Sequence, residues 1–91
     1  MAKILSEATC TQINTLRRKF NKFADMGWMC EGTDDADGNL YNLFFNNDTD
    51  ECFKADYAGN IVDSDCHSIT DAEMAEMAKI QGRISRLAQM D

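Results

Sequence analysis

Residues 31–65, EGTDDADGNLYNLFFNNDTDECFKADYAGNIVDSD, decide the fold of this chain, because they hold most of its negative charge and nearly all of its turn signals. Residues 40–45 and 51–57 alternate with the two-residue period of a strand. In the first run Tyr41, Leu43 and Phe45 oppose Leu40, Asn42 and Phe44, so both faces are rather apolar, as in a central strand with some aromatic surface left over. In the second, Phe53, Ala55 and Tyr57 form a core face, and Cys52, Lys54 and Asp56 a solvent face. Polar turns bound these runs at residues 33–39, 46–50 and 58–60. Asp37-Gly38 is the strongest hairpin cue, since glycine accepts positive φ at no steric cost. Trp28 and Cys30, alternating with Met29 and Glu31, predict a first strand, and Ile61-Val62 a short fourth. Loops this short join antiparallel neighbours, which predicts a meander.

Helical periodicity takes over on both sides of this sheet. Before it, Ser6 is a candidate N-cap, and Ile13, Leu16, Phe20 and Phe23 recur at the spacing of one helical face, with Gly27 as the predicted C′ residue. After it, Thr70 and Glu73 make a capping box, Ile69 and Met74 occupy the staple positions, and Met77, Ile80, Ile84 and Leu87 form the matching stripe. Gly82 interrupts this helix, either for close packing or as a tolerated residue on an exposed face. The fold predicted is α+β: one domain over residues 1–91, with N- and C-terminal helices packed on one face of a three- to four-stranded antiparallel meander sheet.

Charge is segregated along the chain. Residues 31–65 carry Glu31, Asp34, Asp35, Asp37, Asp48, Asp50, Glu51, Asp56, Asp63 and Asp65 against Lys54 alone. Ten acids less one base is −9, which leaves +2 elsewhere in a chain of net charge −7. A pI near 4.5 argues against nucleic acid or an anionic membrane as the direct ligand and points to a basic protein surface as the partner, although such charge also serves solubility. Arg17, Arg18, Lys19 and Lys22 read as a solvated helix face that pairs with the protein's own acids, rather than as a patch for nucleic acid. Hydrophobic residues make up 44% of the 91, enough for a folded core but with no apolar run near the roughly 20 residues that span a bilayer. Residues 1–8 lack the apolar region of a signal peptide, so the expected setting is the cytoplasm, with the cysteines at 10, 30, 52 and 66 as reduced thiols.

No catalytic or metal motif emerges, and no cofactor is expected. If Gly38 were the sixth position of a calcium loop, Thr33 and Phe44 would stand where an aspartate and a bidentate glutamate are needed. Cysteine spacing lacks any C-x-x-C pair, and Cys66-His67 are neighbours that an extended chain points to opposite faces. The ten acids look alike from sequence, so none stands out as a buried acid or base. Met74, Met77 and Met90 give the second helix a methionine-rich side that reads either as core filler or as an adaptable contact surface.

Helix, antiparallel hairpins and helix within 91 residues, with acids gathered in DDADG, NNDTDE and DSD, resemble small phage-encoded inhibitors, in particular the acidic anti-CRISPR and nucleic-acid-mimic proteins. The resemblance spans the whole chain and is architectural. It implies a non-enzymatic protein, monomer or homodimer, acting in the host-cell cytoplasm on the basic groove of a nucleic-acid-binding defence complex. On that expectation the ten acids would be the binding residues, with Tyr41 or Tyr57 as aromatic anchors. The alternative is a structural or regulatory module that binds through the methionine-rich helix face or by self-association.

Overall fold

A computed structural model describes residues 5–90 of the chain. Its elements run α1 (Glu7–Ala24), β1 (Trp28–Asp34), β2 (Leu40–Asn46), β3 (Glu51–Asp56), β4 (Ile61–Asp65) and α2 (Asp71–Met90). The strands pair antiparallel in the order β1-β2-β3-β4, so the sheet is the predicted meander with four strands.

Strand alternation sends Trp28, Phe44, Phe53 and Ala55 to one side of the sheet, where both helices cover them. Phe44 lies opposite Phe53 in register, and their rings stack with centroids 4.5 Å apart and planes 7° from parallel. Trp28 meets Phe53 edge-on at 5.5 Å, and Phe20 of α1 reaches Phe44 at 6.3 Å. From α2 come Met74, Met77, Ala78 and Ile80. Each large side chain buried this way contributes about 1.5–3 kcal/mol. Ile84 of the predicted stripe packs at the edge of the cluster, and Leu87 is half-buried beyond it.

Both helix starts form as their sequences dictate. Ser6 Oγ accepts from Thr9 N at 3.2 Å. At α2, Glu73 N donates to Thr70 Oγ1 at 3.1 Å while Thr70 N donates to Glu73 Oε1 at 2.9 Å, and Ile69 and Met74 are both buried. The end of α1 differs from prediction by one residue. Its C-cap is Asp25, so Gly27, at φ +100°, sits one position past C′. A Cβ on Gly27 would lie 2.6 Å from Asp48 Oδ2 and 2.8 Å from Asn46 Oδ1, because the β2–β3 turn folds onto this corner. Buried Asn46 fastens it, donating from Nδ2 to Met26 O at 3.0 Å and accepting Asp48 N on Oδ1 at 2.9 Å.

The other two hairpins share one turn, built from Asp35-Ala36-Asp37-Gly38-Asn39 and from Asp56-Tyr57-Ala58-Gly59-Asn60. In each the first aspartate accepts the asparagine N–H on Oδ1, at 2.9 Å, and its side-chain amide on Oδ2, at 3.0 and 3.1 Å. The glycine takes φ +84° and +93° respectively. The strand ends differ from the prediction. β1 continues to Asp34 instead of giving way to a turn at residue 33, β3 stops at Asp56 before Tyr57, and β4 runs to Asp65 beyond the predicted pair.

Gly82 is present for close packing. A Cβ there would lie 2.5 Å from the Tyr57 carbonyl oxygen, since α2 runs directly under the β3–β4 turn. Gly82→Ala would gain about 1 kcal/mol in helix propensity, but overpacking against backbone costs about 1–3 kcal/mol. The variant is expected to melt several degrees lower than the parent in a circular-dichroism thermal scan.

Candidate functional site

With both helices on one side, the other side of the sheet is left uncovered. Register places three rows across it: Met29, Phe45, Cys52, Asp65; then Glu31, Leu43, Lys54, Asp63; then Thr33, Tyr41, Asp56. The centre is the outward edge of β2, where Tyr41, Leu43 and Phe45 are half-buried, and Met29 beside them is 53% exposed. Carboxylates flank this stripe, Glu31 on one side and Asp56, Asp63 and Asp65 on the other. Lys54, the single cation of the three rows, leans over the Tyr41 ring at 4.8 Å, although Asp63 is its cross-strand neighbour. Between β2, β3 and β4 lies a recess of about 170 Å³ lined by Leu43, Cys52, Phe53, Lys54, Asp63 and Asp65, among others.

The remaining acids do not join that face, so the ten acids expected as binding residues are not displayed together. Successive hairpins point their tips to opposite ends of a meander. Asp34, Asp35 and Asp37 are therefore at one end, with the Asp56 turn, and Asp48 and Asp50 at the other. Asp35 and Asp56 are committed to their turns, whose donors hold both carboxyls below the usual carboxylate range, Asn39 being the largest influence on Asp35 and the Asn60 N–H on Asp56. Asp50 occupies the left-handed region at φ 59° to close its turn.

Glu51 is corrected more sharply, from a surface acid to a buried one at 3% exposure. Its carboxylate accepts His67 N at 2.6 Å and Ser68 N at 2.9 Å, together with the Ser68 hydroxyl. These donors, led by the hydroxyls of Ser68 and Thr49, hold its pKa down to about 2. The side chain ties the start of β3 to the loop that delivers α2, and it is not available to a partner.

Tyr41 and Tyr57 have different surroundings. The Tyr41 hydroxyl donates to Asp35 Oδ2 at 3.2 Å, and burial and this carboxylate push its pKa up. Tyr57 lines a recess with Gly32, Thr33, Asp34 and Leu40, and its carbonyl lies against Gly82 of α2. Of the two readings of the methionine side, core filler is the one that Met74 and Met77 follow. Met74 and Met77 are core residues, and the Met90 side chain lies outside the described residues. Of the basic run on α1, Lys22 pairs with Glu76 of α2 at 2.8 Å, and among the described residues no lysine or arginine forms an ion pair with an acid of segment 31–65. The predicted pairing of that run with the protein's own acids is therefore made by Lys22, and its partner is on α2.

Cys66 Sγ donates to Cys52 O at 3.4 Å, and burial followed by nearby Glu51 pushes its thiol pKa up, the opposite of an activated nucleophile. Cys30, sunk in the sheet, is pushed up to about 12. Among the described residues no three histidine, cysteine, aspartate or glutamate side chains group as metal ligands, and no helix is long and apolar enough to cross a membrane.

No protein-family model, curated protein or solved structure matches the chain. The functional reading therefore rests on this geometry.

The Glu51 pKa gives a pH dependence. Its folded value lies below the unfolded one, so the stability it contributes is fully present above about pH 4.5 and drains away as pH falls toward about 2. Glu51→Gln is expected to lower the denaturation midpoint at pH 7 and to flatten the loss of stability across that acid window. Urea melts of both proteins at several pH values check this.

Proposed function

We propose that the protein is a non-enzymatic inhibitor that binds the basic, nucleic-acid-binding surface of a partner complex, with the sheet as its binding element. One observation carries this reading: Glu31, Asp63 and Asp65 stand on an uncovered face, and none of them is neutralised by a lysine or arginine of the chain among the described residues. Asp63 and Asp65, two residues apart on β4, stand about 7 Å apart, a spacing on the scale of successive backbone phosphates, and suit the same lysines and arginines. The exposed cations Arg17, Arg18 and Lys19 belong to α1 in the opposite layer. The molecule therefore turns its negative side to a basic groove while its positive side stays away from it. Nothing in this scheme calls for catalysis, and the raised Cys66 thiol fits that.

Binding of this kind weakens with salt and competes with nucleic acid. Immobilised protein is expected to retain basic, nucleic-acid-binding components from a host-cell lysate at low salt, to lose them by about tenfold or more at moderate salt, and to release them to added duplex DNA or RNA. Mass-spectrometric quantification of the captured set checks this. Capture indifferent to both salt and nucleic acid would overturn the proposal.

A further inference from the structure

The outward side chains of β2 break the polar alternation that a solvent-facing strand of an antiparallel sheet normally shows. Tyr41, Leu43 and Phe45 form an apolar line through the middle of the free face, extended by Met29 on β1. The inner face of the same strand is filled by Asn42, Phe44 and Asn46, all buried under the helices, so this second apolar line is not needed for the core. An apolar centre inside a charged rim is the anatomy of a protein interface. The rim also selects the occupant. Two copies of this face brought together would set Glu31, Asp63 and Asp65 against the same carboxylates, an arrangement that like-charge repulsion opposes. A partner with cations beside its apolar residues meets no such penalty.

The recess adds a second requirement. Its lining combines Leu43, Cys52 and Phe53 with Asp63 and Asp65, so it offers apolar surface for methylene groups and carboxylates for a cationic head. Lys54 does not supply that head, because its ammonium lies over Tyr41. From the β2 line to β4 is two strand spacings, about 10 Å. That is also about the rise over seven residues of a helix, or two turns.

We propose that the free face of the sheet is the docking surface for a basic amphipathic helix of the partner, with its apolar residues along Leu43 and Phe45 and one arginine or lysine seated in the recess between Asp63 and Asp65. This rests on the inhibitor reading above and sharpens it. The binding energy is centred on an apolar line with one seated cation, and the acids at the two ends of the sheet are left out.

The test is a nitrogen-15 chemical-shift titration of the whole protein with a synthetic helical peptide carrying leucine on one stripe and arginine on the flanking stripes. A second peptide of the same charge, with serine in place of leucine, is the control. Shifts are expected at residues 29–31, 41–45, 52–54 and 63–65, with the serine peptide binding about fivefold or more weakly. Leu43→Ser and the pair Asp63→Asn with Asp65→Asn are each expected to weaken the leucine peptide by about three- to tenfold while leaving the unbound spectrum folded. Shifts confined to the tips at 34–38 and 47–50, equal for both peptides, would overturn this proposal and leave the inhibitor reading standing. No shift with either peptide would overturn both. Concentration-dependent shifts on the same face without peptide would assign it to a second copy of the chain instead.

Discussion

Two phenyl rings carry the geometry of this molecule. Phe44 and Phe53 face each other across the central strand pair at 4.5 Å, and the stack fixes the register of β2 on β3. Side chains alternate strictly along a strand, so a slip of one residue would exchange every inward group for an outward one. Holding these rings under the helices is therefore what holds Tyr41, Leu43 and Phe45 outside. The free face has its apolar line because the core is on the other side.

Carboxylates serve two different purposes in this fold. Glu51, Asp35 and Asp56 are internal acceptors that close a loop or a turn, and donors at fixed positions hold all three below the usual carboxylate range. Among the described residues Glu31, Asp63 and Asp65 have no such partners, and they give the free face its charge. Net charge therefore overstates the surface available to a partner, since part of it is spent on architecture. Asp56 belongs to both sets, standing on the outer face while it caps its own turn.

Local rules were legible in the sequence wherever the interaction spans a few residues. The capping box of Thr70 and Glu73, the staple of Ile69 and Met74, the strand alternation at Phe53 and Ala55 and the apolar excess of β2 all appear in the structure as read. Distant partners were not legible. Gly82 needed the Tyr57 carbonyl, Gly27 needed the β2–β3 turn, and Glu51 needed Ser68, seventeen residues on. One signal was present and passed over. The spacing D-x-x-G-N occurs at both residues 35–39 and 56–60, and it marks a glycine in the left-handed region inside an aspartate clamp. The spread of acids over two ends followed from topology alone, because each hairpin in a meander reverses the end at which the next tip lies.

The helices, although farthest apart in the chain, lie side by side, joined by Lys22 and Glu76. Every strand pairing is between sequence neighbours, so the hairpins can zip up with small loop-closure entropy, whereas bringing the helices together closes nearly the whole chain. A four-stranded ribbon assembled ahead of that closure would be sticky on both sides at once, with Trp28, Phe44 and Phe53 open on one and the β2 line on the other. Ribosomal synthesis makes this order concrete: α2 emerges after the four strands, so until it does the nascent sheet has only α1 to shelter its aromatic side.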